Sequence, residues 1–384
     1  MGKRKIAVIT VARSDYGLLY PILKKIEKVP ELQLQILVTG MHLSPEFGNT
    51  VKVIEEDGFE ICEKVEMLLS SDNPVGIAKS MGLGTIGFAQ VYDRMKPDLL
   101  LVLGDRFEMH CAVVAAMPFK IPVAHIHGGE STEGAIDELI RHSITKMSHI
   151  HFPSTNFYAE RIKKMGEEDW RVVVSGAPGL DNIRILEPLM SIENFREEYN
   201  IDLFFPTLLV TYHPVTLEYE NTSQQLQNLF AALEAINQQI VFTYPNADTA
   251  GRLIIEMIND FAQKYSKAHI RVNLGQCGYL SLMKHASAMV GNSSSGIIEA
   301  PSFELPVVNI GNRQKGRVRA ENVIDVGYSK DEIYDAIKKA LSPEFKRSLR
   351  GLINPYGEGK ASQIIVDVLK KIELNDNLLL KKFR

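Results

Sequence analysis

The chain contains 384 residues, which is longer than one ordinary hydrophobic core requires and predicts two domains. Apolar residues make up 45% and charged residues 23% of the sequence, and the net charge of −4 gives no reason to expect a nucleic-acid partner. The three cysteines are far apart, so the sequence predicts neither a disulfide framework nor a paired-cysteine metal site, and we expect a cytoplasmic location.

The first apolar run, Ile6–Ala12, is short for a signal peptide. Arg13 and Asp15 follow it at the place where a cleavage site would stand. We therefore expect a first buried strand here. No apolar run approaches the roughly 20 residues needed to span a bilayer, so no membrane partner is expected.

Ten short apolar runs predict strands that are buried on both faces, as in parallel sheets. They are Ile6–Val11, Leu34–Val38, Leu99–Leu103, Val123–Ile126, Val172–Val174, Leu208–Thr211, Val241–Thr243, Ile270–Val272, Ala288–Val290 and Val307–Ile310. Segments with helical spacing alternate with these runs, among them Tyr20–Lys28, Gln224–Asn237 and Leu253–Tyr265. The alternation predicts an α/β protein with helices on both sides of each parallel sheet.

The strand pattern ends after Val174 and restarts at Leu208, with a mixed connector between them. We therefore predict an N-terminal doubly wound domain over 1–177 and a C-terminal one over 178–365. A final helix over 366–384 is expected to pack back on the first domain. Ligands of such sheets bind beyond the carboxyl ends of the strands, so the predicted site lies in a cleft between the domains.

Six predicted strands are followed by polar segments of unusual chemistry. Polar loops after strands are common, which explains one or two such segments but explains six poorly. A shared site is therefore favoured. The segments are Ala12–Gly17, Gly104–Glu108, His127–Gly134, Tyr212–Thr216, Tyr244–Asp248 and Gly291–Gly296.

The segment Gly291–Ala300 is the clearest phosphate-binding signal. Its glycines allow close backbone approach, its three serines offer hydroxyls, and a helix expected to begin at Ile297 has free N–H groups that attract anions. Ordinary N-capping by serine is the alternative, but three serines exceed what a cap needs. Glu299 is placed to accept ribose hydroxyls, or else it is a first-turn acid that suits the helix dipole.

A dense group of cations follows the last predicted strand. Arginine holds a diphosphate with two hydrogen bonds, which suits a position beside the serine segment. A solvated basic loop explains any single one of these residues equally well. The cations are Arg313, Lys315, Arg317 and Arg319.

Two motifs suggest cofactors but lack the required context. Gly82–Gly87 matches the GxGxxG dinucleotide fingerprint, yet no strand precedes it, so tight helix packing or backbone flexibility is expected instead. A zinc site is suggested by His110, Cys111, His125 and His127. However, no third ligand has suitable spacing to join the pair His125 and His127. We predict no metal and no other cofactor.

Titratable side chains concentrate between His125 and Glu138. Glu130 and Asp137 are close to His127 in sequence, and Asp105 ends a strand expected to lie nearby. Carboxylates that share a partly dry site raise one another's pKa, so one acts as a base while another stays protonated as an acid. A solvated acidic loop with a satisfied histidine explains the same residues equally well.

Taken in order and spacing, eight segments resemble the hydrolysing UDP-N-acetylglucosamine 2-epimerases over nearly the whole chain. They are ARSDYG, VTGMH, LGDRFE, HIHGGESTEGAIDELIRHSITKMSH, YHPVT, PNAD, GNSSSGIIEAP and RQKGRVRAENVIDV. The resemblance implies a GT-B fold of two Rossmann-like domains facing a cleft, and a homodimer or homotetramer. It also implies a UDP-sugar substrate that loses its C2 proton, UDP as the product of anti elimination, and hydration of the glycal to N-acetylmannosamine without a metal or nicotinamide.

Carried over position by position, the resemblance assigns acid/base catalysis to Asp105 and Asp137 and places His213 near the diphosphate. Many members carry a catalytic glutamate where this chain has His127, so either His127 or Glu130 is expected to take that role. The other matching positions imply contacts with the UDP-sugar. They are Arg13, Arg106, Asp181, Asn246, Ser293, Ser294, Glu299, Arg313 and Arg317.

Three alternatives share much of this sequence pattern. A branch of the same family acts on UDP-2,4-diacetamido-2,4,6-trideoxyglucose, the precursor of legionaminic acid. This sugar differs from N-acetylglucosamine only in the groups at C4 and C6. A GT-B glycosyltransferase would share the fold and the nucleotide loop. A non-catalytic sugar-nucleotide sensor would bind the UDP-sugar without turnover.

Overall fold

A computed structural model describes residues 2–69, 73–131, 136–215, 220–244, 251–272 and 274–382 of the chain. The chain forms two compact units: unit 1 is Met1–Ile185 with Tyr356–Arg384, and unit 2 is Leu186–Pro355. The domain ends expected at 177 and 365 therefore differ from the structural division, because residues 178–185 and 356–365 lie in unit 1. Every helix among the described residues is too short or too polar to cross a membrane.

The sheet of unit 1 contains six parallel strands in the order β3-β2-β1-β4-β5-β6. They are β1 Arg4–Thr10, β2 Leu32–Thr39, β3 Ile61–Val65, β4 Leu99–Leu103, β5 Val123–Ile126 and β6 Ile150–Phe152. The prediction of a strand over Val172–Val174 is wrong, because the described structure has a single isolated bridge there, between Val172 and His151 of β6. Strand β3 escaped prediction because it is an edge strand with two charged residues, in which half-buried or buried positions alternate with exposed ones.

The core of unit 1 lies on both faces of this sheet. Along β1, Ile6 and Val8 belong to one buried apolar cluster, whereas Ala7 and Ile9 belong to the other. Successive side chains of a strand point to opposite faces, so a strand that is apolar throughout must be covered on both sides. The predicted doubly wound arrangement follows from this pattern.

Seven helices of unit 1 precede the crossing to unit 2 in the described structure. They are α1 Arg13–Glu27, α2 Val51–Glu56, α3 Pro74–Met95, α4 Phe107–Ala116, α5 Ile136–Met147, α6 Asn156–Lys164 and α7 Asp181–Ile185. The GxGxxG match lies inside α3, where a Cβ added at Gly84 would stand 2.6 Å from Cε of Met67. The expected tight helix packing is confirmed there.

The sheet of unit 2 also contains six parallel strands, in the order β12-β11-β10-β7-β8-β9. They are β7 Thr207–Thr211, β8 Gln239–Thr243, β9 Ala268–Arg271, β10 Ala288–Gly291, β11 Val307–Ile310 and β12 Val323–Val326. The helices of this unit are α8 Ile192–Tyr199, α9 Thr222–Ile236, α10 Gly251–Lys264, α11 Gly275–His285, α12 Ser295–Ile298, α13 Lys330–Leu341 and α14 Pro343–Ser348.

The first strand of each unit lies between that unit's second and fourth strands. In unit 1 this places β1 between β2 and β4, and in unit 2 it places β7 between β8 and β10. The strand order reverses at these points, and open α/β sheets bind ligands at the carboxyl ends of the strands beside such a reversal. The segments that follow β1 and β4, and β7 and β10, are therefore where a site is expected.

The chain returns to unit 1 in two helices, α15 Ala361–Lys371 and α16 Asp376–Leu379. Ile365 and Leu369 of α15 join the same buried cluster as α1. The fully buried Arg171 donates hydrogen bonds to the carbonyl oxygens of Leu378 at 2.8 Å and Asn377 at 2.9 Å. The tail is thus held on unit 1 both by apolar packing and by a buried guanidinium.

Candidate functional site

The reversal point of the unit 1 sheet gathers Asp15 from α1 and Arg106 from the segment after β4. Nε of Arg106 lies 3.3 Å from Oδ2 of the buried Asp15. Burial raises the pKa of Asp15 to about 6, although the nearby positive charge of Arg106 opposes the rise. The sequence placed Arg106 at the site, and the structure adds Asp15 as its ionic partner.

Asp105 follows β4 directly and pairs with Arg141 of α5 through the Arg141 Nη2 atom. Its position depends on Gly104, whose φ of +76° lies in the left-handed region that glycine adopts without strain. His125 of β5 supports this turn, because its Nε2 donates to the Gly104 carbonyl oxygen at 2.8 Å. Burial lowers the pKa of His125 to about 3, so this histidine is a neutral structural group.

His127 stands directly after β5 and is held in an unusual backbone conformation. Its φ is +62°, which non-glycine residues rarely adopt. Its Nδ1 lies 2.5 Å from Oε1 of Glu130, and the same oxygen accepts a hydrogen bond from Ser154 Oγ at 2.6 Å. Side-chain exposure is 11% for His127 and 5% for Glu130. The carboxylate is therefore the inner member of the pair and the imidazole the outer one.

Asp137 lies in the first turn of α5, next to the charges already described. Burial raises its pKa first, and the negative charge of Asp105 raises it further, while Arg106 and Arg141 oppose the rise. These four side chains therefore form one electrostatic cluster. Residues 132–135 before α5 lie outside the described structure.

Glu108, which sequence reasoning did not single out, is fully buried in the first turn of α4. Among the described residues, none donates a hydrogen bond to its Oε2. Burial raises its pKa to about 7; Arg106 opposes the rise, and Asp15 and Asp137 add to it. The only available signal was its position three residues after Asp105 in a polar segment that follows a strand.

In unit 2, the reversal point brings His213 and Asn292 together after β7 and β10. The backbone N–H of His213 donates to Oδ1 of Asn292 at 2.6 Å, and Nδ2 of Asn292 donates to the His213 carbonyl oxygen at 2.8 Å. Gly291 makes this approach possible, because a Cβ added there would overlap the Thr211 carbonyl oxygen. Asn292 therefore joins the ends of β7 and β10 through these two hydrogen bonds with His213, an arrangement that we call the bracket. Sequence reasoning did not assign this role to Asn292.

Arg313 reaches the same bracket from the segment after β11. Its Nη1 donates to the Asn292 carbonyl oxygen at 3.0 Å, and Nε2 of Gln314 donates to that oxygen at 2.8 Å. Burial lowers the pKa of His213 to about 3, and the charge of Arg313 lowers it further. His213 is therefore a neutral imidazole beside a guanidinium.

The serine segment begins immediately after this bracket. Ser293 and Ser294 are half-buried, and the hydroxyl of Tyr279 lies within hydrogen-bond reach of the hydroxyls of Ser293, Ser295 and Thr211. Burial raises the pKa of Tyr279, which therefore stays a phenol that donates a hydrogen bond. Sequence reasoning missed Tyr279 because it lies inside α11, away from any strand end.

The expected position of Glu299 needs a correction. The helix after the serines, α12, spans Ser295–Ile298, so Glu299 stands at its C-terminal end rather than in the first turn of a longer helix. The alternative role of a first-turn acid that suits the helix dipole is therefore wrong. Glu299 remains close enough to Tyr279 for its charge to raise the pKa of the phenol.

Asp181 has a structural position that differs from the expected substrate contact. It is buried, and its two carboxylate oxygens accept hydrogen bonds from the N–H groups of Ala361 at 2.9 Å and Ser362 at 2.7 Å. These are the first N–H groups of α15, so Asp181 caps that helix from a distant part of the chain. The same bonds explain why residues 178–185 and 356–365 share a unit.

The remaining predicted contacts are less informative. Arg13 is exposed at the first position of α1, and Arg317 is half-buried beside Gln314, to whose carbonyl oxygen its backbone N–H donates at 3.3 Å. Asn246 lies outside the described residues. Groups of three or more potential metal ligands are absent from the part of the chain that the structure describes.

Comparison with known proteins places the chain among sugar-nucleotide epimerases. Residues 24–370 match the family model described as UDP-N-acetylglucosamine 2-epimerase. A GDP/UDP-N,N'-diacetylbacillosamine 2-epimerase (hydrolyzing) from Campylobacter jejuni is 42% identical, covering 100% of this chain and 99% of that protein. A UDP-N,N'-diacetylbacillosamine 2-epimerase (hydrolyzing) from Legionella pneumophila is 40% identical over 98% of each chain.

Solved structures of similar architecture include the UDP-GlcNAc 2-epimerase from Neisseria meningitidis bound to UDP-GlcNAc. It matches with a TM-score of 0.82 at 20% identity, over 96% of this chain and 100% of that one. Similarity at this identity is a statement about the fold. The predicted GT-B fold of two Rossmann-like parallel-sheet domains is confirmed by this match and by the two six-stranded sheets.

Proposed function

The chain belongs to the UDP-N-acetylglucosamine 2-epimerase family, and we propose that it is a hydrolysing enzyme that converts a UDP-linked 2-acetamido sugar into UDP and the free 2-epimer. The observation that carries this function is the gathering of His127, Asp105 and Asp137 after strands β4 and β5 of one sheet. A reaction that removes a proton from one face of a carbon and returns one to the other needs two proton-carrying groups.

For the sugar, we propose 2,4-diacetamido-2,4,6-trideoxyglucose, which is N,N'-diacetylbacillosamine. Both relatives described above are named as hydrolysing 2-epimerases of this sugar, linked to GDP or UDP in one and to UDP in the other, and both cover nearly the whole chain. UDP-N-acetylglucosamine is the second candidate, favoured by the description of the matching family. The product would be a precursor of legionaminic acid in the first case and of sialic acid, as N-acetylmannosamine, in the second.

We assign the proton transfers at C2 to His127 and Asp137. Glu130 holds Nδ1 of His127, so the second ring nitrogen, Nε2, is the one that exchanges a proton with the sugar. Burial and the charge of Asp105 raise the pKa of Asp137, which suits this carboxyl to the role of proton donor. Asp105 stays paired with Arg141, and its charge contributes to the raised pKa of Asp137.

We assign the leaving UDP to unit 2. The Ser293 and Ser294 hydroxyls and the Arg313 guanidinium suit a diphosphate, because cationic forks and hydroxyls both donate to phosphate oxygens. His213 is neutral beside Arg313, so it donates one hydrogen bond rather than a second full charge. Glu299 is assigned to the ribose hydroxyls.

The proposed steps balance without a cofactor. The C2–H bond and the bond from C1 to the phosphate oxygen break, the C1–C2 double bond forms, and UDP leaves with the electron pair. Water then adds its oxygen to C1 while a proton is delivered to the opposite face of C2. The free sugar is therefore the 2-epimer, and its C2 hydrogen comes from the enzyme and solvent.

The deciding experiment incubates the enzyme with each UDP-sugar in D₂O and follows the products by NMR. We expect UDP, a free 2-epimer and deuterium at C2, with the diacetamido sugar turned over faster. A UDP-linked 2-epimer would indicate a non-hydrolysing epimerase, and turnover that needs an acceptor would indicate a glycosyltransferase. Binding without turnover of either sugar would indicate a sensor.

Two further expectations belong to the same proposal. We expect the enzyme to act in the cytoplasm, where Cys62, Cys111 and Cys277 stay reduced as free thiols. We also expect a homodimer or homotetramer, which light scattering of the purified chain would measure.

A further inference from the structure

We infer that unit 1 carries a separate anion-binding site, a basic pocket that accepts a phosphate-bearing anion. The pocket has a volume of about 410 Å³ and is formed by α1, α7 and the segment that enters α15. It is distinct from the strand ends that carry the proposed reaction, and it does not depend on the proposed function. Its charged lining residues are Lys24, Lys25, Lys28, Asp181, Arg184 and Lys360.

The pocket has a strong excess of positive charge. Five of its lining side chains are cations and one is a carboxylate, so the excess is four charges in a protein whose net charge is −4. The carboxylate, Asp181, cannot neutralise the cations efficiently, because both of its oxygens already accept backbone N–H groups of α15. Cations gathered in one concave surface repel one another, and a bound anion relieves that repulsion.

Internal partners account for only some of these cations. Nζ of Lys24 donates to the Asp57 carbonyl oxygen at 3.1 Å and lies over the Phe59 ring. Lys360 pairs with Glu358 at 2.8 Å, but both side chains are exposed, so the pair is weak. Lys25 and Lys28 have no ion pair among the described residues, and we expect them to make the principal contacts with the anion.

The helix dipole of α1 explains the positions of Lys25 and Lys28, but helix dipoles do not explain the positions of Lys360 and Arg184. Lys25 and Lys28 lie at the C-terminal end of α1, where cations are favoured. Lys360, however, is the N-cap of α15, and the side chain of Arg184 packs where a Cβ of Gly359 would stand. Cations are disfavoured at the N-terminal end of a helix. An anion bound there would interact favourably both with Lys360 and Arg184 and with the N-terminal end of α15.

The chemistry of the pocket favours phosphate over a single carboxylate. Glu27 lies 3.8 Å from Lys24, and Glu358 pairs with Lys360, so the nearby carboxylates reduce the excess of four charges to two. An excess of this size matches an anion that carries two or more negative charges, and the Arg184 guanidinium offers a planar fork for phosphate oxygens. Both a free inorganic polyphosphate and the phosphates of a nucleotide have this chemistry. Pyrophosphate and adenosine diphosphate are therefore the two probes.

The test titrates pyrophosphate into the full chain by calorimetry at low ionic strength, because exposed charges are screened by salt. We expect saturable binding that Lys25→Glu with Lys28→Glu weakens by about tenfold or more, given the strength of paired charges near a protein surface. Arg184→Gln should weaken it as well, with less change in local charge. A thermal melt of each variant verifies that it is folded.

The matched control is Lys338→Glu with Lys339→Glu, which reverses two exposed lysines in the last turn of α13 in unit 2. It should bind pyrophosphate as the unaltered chain does, both without UDP and with excess UDP, which occupies the diphosphate site proposed for unit 2. Tighter binding of adenosine diphosphate would assign the pocket to nucleotides, and equal or weaker binding to inorganic polyphosphate. Unchanged affinity in the Lys25 and Lys28 variant, or pyrophosphate binding that excess UDP abolishes, would overturn the inference.

Discussion

Nδ1 of His127 lies 2.5 Å from Oε1 of Glu130, a residue that sits only three positions further along the chain. A buried carboxylate accepts hydrogen bonds, so it fixes the proton of the neutral imidazole on Nδ1 and leaves Nε2 as the basic nitrogen. The contact therefore favours one of the two possibilities that the sequence left open. His127 carries the proton in our proposal, and Glu130 positions it.

The first prediction concerns that orientation. Glu130→Gln replaces an acceptor with an amide that can donate to Nδ1, which moves the imidazole proton to Nε2 and removes the base. We expect kcat to fall by about 10²- to 10⁴-fold, as for other histidines that lose their orienting carboxylate or their base function. The pH profile of kcat should change with it. Glu160→Gln, on the exposed side of α6, is the control and should leave kcat and its pH profile unchanged. Normal kcat in Glu130→Gln would show that the dyad has no part in the reaction.

The second prediction separates the imidazole of His127 from its backbone. The φ of +62° suits asparagine better than alanine, because asparagine enters the left-handed region more readily. His127→Asn should therefore lose about 10²- to 10⁴-fold in kcat with little change in the free energy of unfolding. His127→Ala should lose activity and also about 1 kcal/mol of stability. Equal stability of the two variants in urea denaturation would contradict the strained-backbone interpretation.

Sequence reasoning located the strands that carry the site more accurately than those at the edges. Strands β4, β5 and β11 have the predicted bounds, because each is short, mostly apolar and buried at every position. Strands β3, β6 and β12 were missed, and all three are edge strands whose apolar residues are interrupted by polar ones. An uninterrupted apolar run signals burial on two faces, and these three strands lack such a run.

The same limit applies to the site. Residues after strand ends, such as Asp105 and Arg313, were found because the parallel-sheet rule points to them. Asp181 was assigned to the substrate because nothing in its local sequence shows that it caps α15, whose first N–H groups lie 180 residues later. Glu108 and Tyr279 become visible only when burial and neighbours are known.

The third prediction distinguishes Asp137, the proposed proton donor, from Asp105, which pairs with Arg141 and contributes to the raised pKa of Asp137. Asp105→Asn removes the hydrogen-bonded anion from the buried Arg141 guanidinium. Although Glu138 stays 4.0 Å from Arg141, losing one side of a buried pair should cost up to about 3–5 kcal/mol in the free energy of unfolding. Asp137 forms no ion pair of this kind with a cation among the described residues, and burial already disfavours its charged form by raising its pKa. We therefore expect Asp137→Asn to change the free energy of unfolding little. We expect both to lower kcat by about 10²- to 10⁴-fold. Urea denaturation and kcat together verify the contrast, and unchanged kcat in both variants would refute the acid/base assignment.

The fourth prediction uses the buried carboxyl of Glu108. Its pKa is about 7 in the folded chain against an ordinary value of 4.5, because burial disfavours the charged form. Between pH 4.5 and about pH 7, the folded chain keeps a proton on Glu108 that the unfolded chain has released. The free energy of unfolding therefore falls as the pH rises through this range. Glu108→Gln stays neutral throughout and should remove that part of the loss.

Glu108→Gln should therefore stabilise the chain at pH 8 by about 1–3 kcal/mol relative to its effect at pH 5. Chemical denaturation at the two pH values measures the difference. Glu344→Gln, in the exposed first turn of α14, is the control and should show no such pH dependence. A stabilisation that is larger at pH 5 than at pH 8 would contradict the assigned direction of the pKa shift.

The fifth prediction concerns Gly291, on which the bracket between β7 and β10 depends. A Cβ there would overlap the Thr211 carbonyl oxygen, and the φ of +135° is unfavourable for any other residue. We expect Gly291→Ala to cost about 3 kcal/mol or more in the free energy of unfolding, and to weaken UDP binding because His213 and Asn292 would move apart.

Gly82 of α3 is the matched control for that substitution. A Cβ added at Gly82 meets no atom within 4 Å, and the residue lies in an ordinary helix. Gly82→Ala should therefore stabilise the chain by about 0.4–1 kcal/mol, mainly because alanine restricts the unfolded chain. Urea denaturation and UDP calorimetry on both variants test the contrast. Unaltered UDP affinity in a folded Gly291→Ala variant would show that nucleotide binding does not depend on this strand-end bracket.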